Sequence, residues 1–356
     1  MHPSGRTLFW SLALAGLLGA VITVSAGIGP VWIPPDAVAK VLLNAVALPT
    51  AVDLSGATPA VTTQPLFRFP VEDIQRQIVL QVRLPRILLG AIVGFSLAAA
   101  GTIMQGIFRN PMADPSIIGV SSGAAVGAVG FIVAPVALPF GLGLRAAAFS
   151  GALLSAFGVY LIATQNGRTP VATLLLAGVA VQTFLGAVVS FLLLQSGESI
   201  RRALFWLMGH LKGAAWPEVW TSLLLVAVPF VVLLVYARDL NVMLLGEEDA
   251  QSLGIDVERT KRILLAFSSL VTAAGVAVAG IIGFVGLIVP HVMRLVVGPD
   301  HRVLLPTAAL AGSSFLVATD TLARSGSAEV PVGIVTAALG APFFLYLLRQ
   351  REVHEL

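Results

Sequence analysis

Hydrophobic residues in this chain fall into long runs, most of them about 20 residues, separated by short polar segments. Such a run is long enough for one helix to cross a bilayer, so the pattern predicts about ten membrane spans. One run, residues 286–297, is too short to cross the membrane unaided. Because the number of spans is even, both termini are expected on the same side of the membrane. The predicted spans cover residues 8–29, 84–108, 117–134, 146–163, 171–195, 217–236, 263–284, 286–297, 304–319 and 331–348.

The first run follows a short segment whose one charged residue is Arg6, and it predicts a spanning helix. A cleaved signal peptide is the alternative, because Val24, Ser25 and Ala26 resemble a cleavage site. The apolar stretch is longer than the roughly 7–15 residues usual in such a peptide, which favours the spanning helix.

Two longer segments interrupt the pattern within one transmembrane domain, residues 1–356. Residues 30–82 are mixed in polarity and contain Pro34 and Pro35, and they predict an external loop. Residues 238–262 hold ten charged side chains in a protein of which only 11% is charged, and they predict a cytoplasmic loop between two membrane halves.

The charged segment contains the pattern of a short helix. Glu247 and Glu248 stand in its first turn, where carboxylates complement the positive helix end, and Gly254 is placed to end it in a left-handed cap. Ala250 and Leu253 lie one turn apart and predict an apolar face. A helix this short is marginal in water, so this face needs a surface to dock on, such as that of another protein. A solvated loop with a frayed turn is the alternative.

Composition sets the class of protein. Hydrophobic residues make up 57% of the chain, which excludes a soluble enzyme, and the absence of cysteine excludes disulfides and thiolate metal sites. The net charge of +3 comes mostly from arginines at span ends, which suits anionic lipid or an acidic partner. There is no basic tail to indicate nucleic acid.

The sequence carries no energy source of its own. All carboxylates fall in loops or at span ends, whereas ion-driven carriers commonly place such groups at the membrane midplane. None of the lysines, Lys40, Lys212 and Lys261, follows a glycine, so a phosphate-binding loop of the GxxxxGK type cannot occur. The protein is therefore expected to be no enzyme, with catalytic residues, cofactor and metal all absent, and a separate ATPase docking on residues 238–262 could drive it.

Two regions repeat one arrangement of a span rich in small residues, a turn with proline and aspartate, and a further span rich in small residues. They are residues 84–130 and 263–312. One span precedes the first copy and six precede the second, so the copies run in opposite directions, as in the inverted repeats of transporters.

Several linked motifs resemble the permease subunits of binding-protein-dependent ABC importers for iron-siderophores, haem and cobalamin, the FecCD/BtuC type. The resemblance covers residues 83–356, and the order and spacing of the motifs make it specific. The motifs are RLPR at 83–86, QGIFRNPMADP at 105–115, GVSSGAAVGA at 119–128, GFVGLIVPHVMR at 283–294, DHRVLLP at 300–306, DTLAR at 320–324 and EVPVGIVTAALGAPFF at 329–344.

This resemblance implies an all-α, ten-helix subunit with the type II ABC importer permease fold, in a bacterial inner membrane. It also implies a homodimer around a central pathway lined by the spans at 171–195 and 331–348. Two ATPase subunits would bind on the cytoplasmic side, and a periplasmic substrate-binding protein would dock outside.

The resemblance also assigns roles to individual residues. It assigns docking of the binding protein to Arg83, Arg86 and Arg324. The alternative is that these arginines anchor the protein at the lipid interface. Coupling to the ATPase falls to the segment 247–254, which includes Glu247, Glu248, Ala250, Leu253 and Gly254. Cytoplasmic constrictions fall to Asn110, Met112, Val171 and Ala172, although Val171 and Ala172 are apolar where the cobalamin permease carries hydroxyl groups.

The cargo is the least determined property. The run at 119–128 resembles haem permeases somewhat more than cobalamin permeases, so haem is the expected cargo, with ferric siderophores and cobalamin as alternatives. His210 is a candidate contact at the outer mouth because an imidazole can bind haem iron, although a lone histidine there is usually a solvated polar residue. A proton-coupled secondary transporter is the alternative from another class.

Overall fold

The computed structural model describes residues 3–53, 60–134, 143–326 and 328–352, and helices dominate it. The helices are α1 (Pro3–Gly27), α2 (Pro35–Ala45), α3 (Asp73–Gln77), α4 (Leu84–Ile107), α5 (Val120–Val133), α6 (Leu144–Ala163), α7 (Val171–Leu194), α8 (Ile200–Leu207), α9 (Trp216–Val235), α10 (Ala237–Met243), α11 (Glu247–Ser252), α12 (Val257–Ala279), α13 (Val285–Val297), α14 (His301–Ala323) and α15 (Val332–Glu352). Strands β1 (Ala47–Asp53) and β2 (Ala60–Pro65) pair in an antiparallel hairpin between α2 and α3.

Ten apolar helices account for the ten predicted runs. Among the described residues, seven helices are long and apolar enough to cross a membrane, namely α1, the continuous helix 73–107, α6, α7, α9, α12 and α14. Three shorter apolar helices lie at Val120–Val133, Val285–Val297 and Val332–Tyr346. The prediction of a polytopic helical membrane protein is confirmed.

The segment 30–82 differs from the predicted loop. It contains α2, the two strands and α3, and α3 continues through a π-helical segment, Ile78–Arg83, into α4. The second span therefore starts at Asp73 rather than at residue 84. Polar residues in α3 hide this start in the sequence, but Val79 is fully buried and anchors the added turns. The chain is nearly all helical, as predicted, and this hairpin is an addition to the predicted helices.

The segment 238–262 is also more ordered than a loop. It consists of α10, α11 and the first turns of α12, which begins at Val257 rather than at residue 263. The carboxylate of Asp256 accepts a hydrogen bond from the amide of Arg259 at 3.0 Å and so caps the start of α12. In the sequence, charged residues at the start of a helix look like part of a loop. Here they cap the helix or pack against its neighbours.

Helix α4 lies at the centre because glycines let other helices approach its backbone. A Cβ atom added at Gly94 would lie 2.2 Å from the carbonyl oxygen of Gly312 in α14, and one added at Gly101 would lie 1.9 Å from that of Gly286 in α13. Neither approach could accommodate a side chain. In lipid, apolar burial gives little driving force for helices to associate. The close packing that these small residues permit holds the helices together instead.

Helix packing partners recur in the way expected for a repeat. Helix α4 packs on α13 and α14, and α12 packs correspondingly on α5 and α6. Helix α5 packs on α6 and α7, and α13 packs correspondingly on α14 and α15. Since α4 is the second span and α12 the seventh, the two sets run in opposite directions across the membrane, as predicted for residues 84–130 and 263–312.

The end of α12 and the start of α13 meet at a sharp break. Gly280 has φ = +73°, and a Cβ atom there would lie 2.2 Å from the carbonyl oxygen of Trp206. Phe284 also has positive φ, +69°, which is unusual for a bulky residue, and its ring packs directly over Gly340 of α15. The break thereby joins α8, α12, α13 and α15 at one point.

Candidate functional site

The predicted short helix is present as α11. Glu247 and Glu248 occupy its first turn, and Gly254 follows its last turn in the left-handed region, with φ = +87°. The amide of Gly254 donates to the carbonyl of Gln251 at 2.9 Å, and the amide of Ile255 donates to the carbonyl of Ala250 at 3.0 Å. These two bonds form a Schellman cap, so the glycine ends the helix as the sequence predicts.

The apolar residues of α11 have different surroundings. Ala250 is fully buried in a small cluster with Met243 and Val257, whereas the Leu253 side chain is 64% exposed. The chain itself thus provides the apolar surface against which Ala250 packs. Leu253 is left for a partner or for solvent.

Lys261 connects α11 to the start of α7. Its side chain is only 3% exposed, and its Nζ lies 2.7 Å from Oε1 of Glu258 and 3.2 Å from Oε2 of Glu247. The same ammonium donates to the carbonyl of Thr169 at 3.0 Å. Glu258 in turn accepts a hydrogen bond from the amide of Thr169 at 3.0 Å. A buried ammonium requires such partners, and these come from three separate segments.

An open cleft of about 520 Å³ lies beside this network. Its lining includes Arg109 after α4, Val171 at the start of α7 and residues 246–249 at the start of α11. The predicted constriction at Val171 and the predicted coupling helix therefore border one space, at the end of the bundle predicted to be cytoplasmic.

The turn after α4 is held by its own asparagine. Arg109 has φ = +46°, and the Asn110 side-chain oxygen accepts a hydrogen bond from the amide of Met112 at 2.9 Å. Asn110, Met112 and Ala172 are all exposed to solvent at this end. Their part in a constriction stays a prediction.

A second network ties α10 to α14. The Asn241 side-chain oxygen accepts from the amide of His301 at 2.9 Å, and its nitrogen donates to Oδ1 of Asp300 at 2.6 Å. Asp300 also accepts two bonds from the Arg302 guanidinium. The hydrogen bonds from Arg302 lower the pKa of Asp300 to about 2. Helix α10 is thus fixed to the bundle independently of α11.

Arg83 and Arg324, which are predicted to be external, are turned into the protein. Arg83 donates to the carbonyl groups of Ala26 and Val31, and Arg324 donates to those of Ser25 and Ile28. Ser25 and Ala26 are in the last turn of α1, where a helix lacks internal donors, and Ile28 and Val31 are in the segment that follows it. Both side chains are under 10% exposed. They act as cationic caps on α1, which complements its negative end.

Arg86 is occupied by carboxylates of its own chain. Its Nη2 lies 2.8 Å from Oδ1 of Asp320, whose side chain is 3% exposed, and its Nη1 contacts Glu329. Asp320 lies in the last turn of α14, which continues beyond the predicted end of this span at residue 319. The three arginines assigned to docking therefore cluster at one end, but their donors are directed inward.

His210 is wedged between α8 and the end of α12. Its amide donates to the carbonyl of Ala279 at 2.7 Å, and its Nδ1 is buried with no hydrogen-bond partner among the described residues. Burial, followed by the charge of Arg86, lowers the pKa of His210, so the ring is mainly neutral at pH 7.

Helix α7 leaves most of its surface uncovered. Its buried residues are Leu174, Ala177 and Gly178, all on one face, while Leu176 and Phe184 are more than 60% exposed. An apolar face of this kind suits lipid or a second copy of the chain.

Sequence reasoning did not assign roles to Lys261, Asp320 or Asn241. The isolated lysine among carboxylates in residues 238–262 was visible, but only the fold brings Thr169 to it. Likewise, Asp320 is 234 positions from its partner Arg86.

These features define a polytopic helical membrane protein that presents a short capped helix at one end of its bundle. The model of the FecCD transport family matches residues 14–350, and the chain belongs to this family.

Individual relatives refine this assignment. The cobalamin import system permease protein BtuC of Halobacterium salinarum is 57% identical, with 100% of both chains covered. The hemin transport system permease protein HmuU of Yersinia pestis is 44% identical over 81% of this chain and 88% of its own. A solved structure described as an inward-facing conformation of a metal-chelate type ABC transporter is 31% identical, with a TM-score of 0.78 and coverage of 96% of this chain and 98% of that one.

The chain is therefore an ABC importer permease, as its motifs predict. The expected haem cargo is less well supported than the cobalamin alternative, because the cobalamin relative is the more similar and matches over its whole length.

Proposed function

We propose that the chain is the permease of a cobalamin importer. The observation that carries this proposal is the 57% identity to a cobalamin permease over the full length of both chains. The motif run at 119–128, which favours haem, covers ten residues and weighs less than a match over the full length of both chains. Haem and ferric siderophores are the competing cargoes.

The cytoplasmic partner in this proposal is a separate ABC ATPase that docks on α11. Support comes from Leu253, a large apolar residue that is 64% exposed at the end of a helix anchored through Ala250. The cleft of about 520 Å³ beside α11 offers room for a partner or for movement of the helix.

The permease acts as a homodimer in this proposal, with α7 and α15 lining the pathway. The exposed apolar faces of these helices support it, and Ala172 and Met112 would face the cytoplasmic constriction. The membrane is the cytoplasmic one, which in a bacterium is the inner membrane, and both termini are cytoplasmic.

Docking of the external binding protein is proposed for exposed cations near the outer mouth. Arg201 and Arg202 on α8 are exposed, and Lys212 follows close by. Of the three arginines first assigned to docking, Arg86 is the best retained candidate, because its partner Glu329 is 34% exposed and could exchange for a carboxylate of the binding protein. Arg83 and Arg324 are proposed to stabilise α1 instead.

Co-purification tests the assignment. The permease is expressed with the ATPase and the binding protein that accompany it, and the complex and its bound ligand are analysed by mass spectrometry and absorbance. The proposal expects an ATPase in the complex and a corrinoid on the binding protein. Haemin or a ferric siderophore as the only ligand would contradict the cargo, and ion-driven transport without any ATPase would favour a secondary transporter.

A further inference from the structure

Lys261 is a point at which α11, α12 and the segment entering α7 share a side-chain contact. Its ammonium lies 3.2 Å from Glu247 of α11, 2.7 Å from Glu258 of α12 and 3.0 Å from the carbonyl oxygen of Thr169. Thr169 immediately precedes Pro170, the residue that caps α7. A single buried cation therefore joins the proposed ATPase-docking helix to the proposed pathway helix.

The three partners are not equivalent. Glu258 is in the same helix as Lys261 and is also bonded to the amide of Thr169 at 3.0 Å, so this part of the network stays together. Glu247 is 40% exposed and borders the cleft, so its carboxylate can leave the ammonium and be solvated. The bond to Glu247 is thus the one that movement of α11 would break or form.

Helix α11 lies between two glycines that have positive φ. Gly246 before the helix has φ = +143° and Gly254 after it has φ = +87°, so both ends turn at residues without side chains. On the far side of Gly246, α10 is fixed to α14 through Asn241, Asp300 and His301. Helix α11 is therefore a short body between two glycine turns, with Ala250 and the Glu247 ion pair as its attachments.

We propose that Lys261 transmits displacement of α11 to the start of α7, and that the Lys261–Glu247 ion pair is the link that does so. The inference rests on the proposed function, because it needs an ATPase that moves α11. Lys261 is a positioning residue and does not touch the cargo. When the ATPase shifts α11, the bond between Glu247 and the buried ammonium breaks or forms, and the altered position of the ammonium is passed through its bond to Thr169 to the start of α7.

The test separates coupling from folding and from ATPase docking. Permease variants are reconstituted with the ATPase and the binding protein, and the cobalamin taken up per ATP hydrolysed is measured. Lys261→Met should still bind the ATPase, while uptake per ATP falls at least tenfold. Lys261→Arg, which keeps the charge, should recover much of the loss. Lys40→Met, at a lysine whose side chain is 41% exposed and pairs with Asp36 of the same helix, is the matched control and should match wild type.

A second variant covers the case in which Lys261→Met fails to fold. Glu247→Gln removes only the half-exposed partner and leaves the ammonium with Glu258 and Thr169, so folding should be retained. Uptake per ATP should again fall severalfold. Wild-type coupling in Glu247→Gln, or in a folded Lys261→Met, would overturn the inference.

Movement of α7 can be observed directly because the chain has no cysteine. An environment-sensitive thiol-reactive fluorophore on Ala172→Cys should change its emission when ATP is added to the complex, and this change should be lost with Lys261→Met. An unchanged response in Lys261→Met would overturn the inference. Failure of the wild-type permease to bind an ATPase would instead overturn the proposed function.

Discussion

The two ends of the bundle use buried cations in opposite ways. At the external end, Arg83 and Arg324 donate to carbonyl groups at the end of α1. All of these acceptors belong to backbone packed in the bundle, so the bonds form a fixed frame. At the cytoplasmic end, Lys261 is equally buried, but its partner Glu247 is 40% exposed on a helix between two glycine turns. A basic residue beside a predicted loop therefore does not by itself indicate a docking surface. The acceptors of its hydrogen bonds decide its role.

The largest expected effect is at the fixed external frame. Arg324→Met would leave carbonyl groups at the end of α1 unpaired and would remove a cation next to buried Asp320. Breaking a buried ionic network in this way costs about 3–5 kcal/mol. Thermal unfolding in detergent should show the loss, whereas Arg201→Met, at an exposed site, should stay within about 0.5 kcal/mol of wild type. Equal stability of the two variants would contradict the assigned capping role.

The next largest effect is expected at the exposed end of α11. Leu253→Asp places a carboxylate where the account has an apolar anchor, and loss of such an anchor weakens binding by about 2 kcal/mol or more, roughly thirtyfold. A pull-down titration with the ATPase measures it. Leu204→Asp, the same change at a partly exposed leucine of external α8, is the control. Equal ATPase affinity in the two variants would rule out α11 as the docking helix.

A smaller effect is expected for docking of the binding protein. Arg201→Glu reverses an exposed external charge and should weaken the binding protein by about fivefold at low salt, with less effect at high salt. Arg83→Met removes a buried charge and should change this affinity little once the protein is folded. A larger loss of affinity in Arg83→Met than in Arg201→Glu would support the docking role that the motif implies for Arg83.

The smallest effect concerns pH. The pKa of Asp300 is depressed to about 2, below its ordinary 3.8, so its stabilising contribution is fully present above about pH 4 and is lost as the pH falls through about 2. Because the carboxylate is partly exposed, the contribution should be about 1 kcal/mol or less. The difference in melting temperature between wild type and Asp300→Asn should shrink between pH 5 and pH 3. A difference that does not depend on pH would contradict this.

Much of the fold could be predicted from local pattern. Span length and polarity locate the ten apolar helices, and the acidic first turn with Gly254 locates α11. The start of the second span was missed, because the polar residues of α3 look like a loop until the burial of Val79 is known. The break at Phe284 was missed too, since its positive φ depends on packing over Gly340.

The candidate site was less predictable because its contacts are distant in sequence. Lys261 and Thr169 are 92 positions apart, and Arg86 and Glu329 are 243 apart. A family motif does not distinguish an arginine that caps a helix from one that docks a partner protein. Arg324 is an example. Cargo selection is still harder to infer, because Val171 and Ala172 offer no polar group that would distinguish a corrinoid from haem.

The most direct test of the account is ATP-dependent uptake by proteoliposomes that contain the permease, its ATPase and its binding protein. Cobalamin, haemin and a ferric siderophore are offered in turn, with Leu253→Asp as the uncoupled control. The account predicts that cobalamin accumulates only with ATP and only with Leu253 intact. Uptake of haemin or the siderophore without uptake of cobalamin, or uptake of cobalamin without the ATPase, would contradict it.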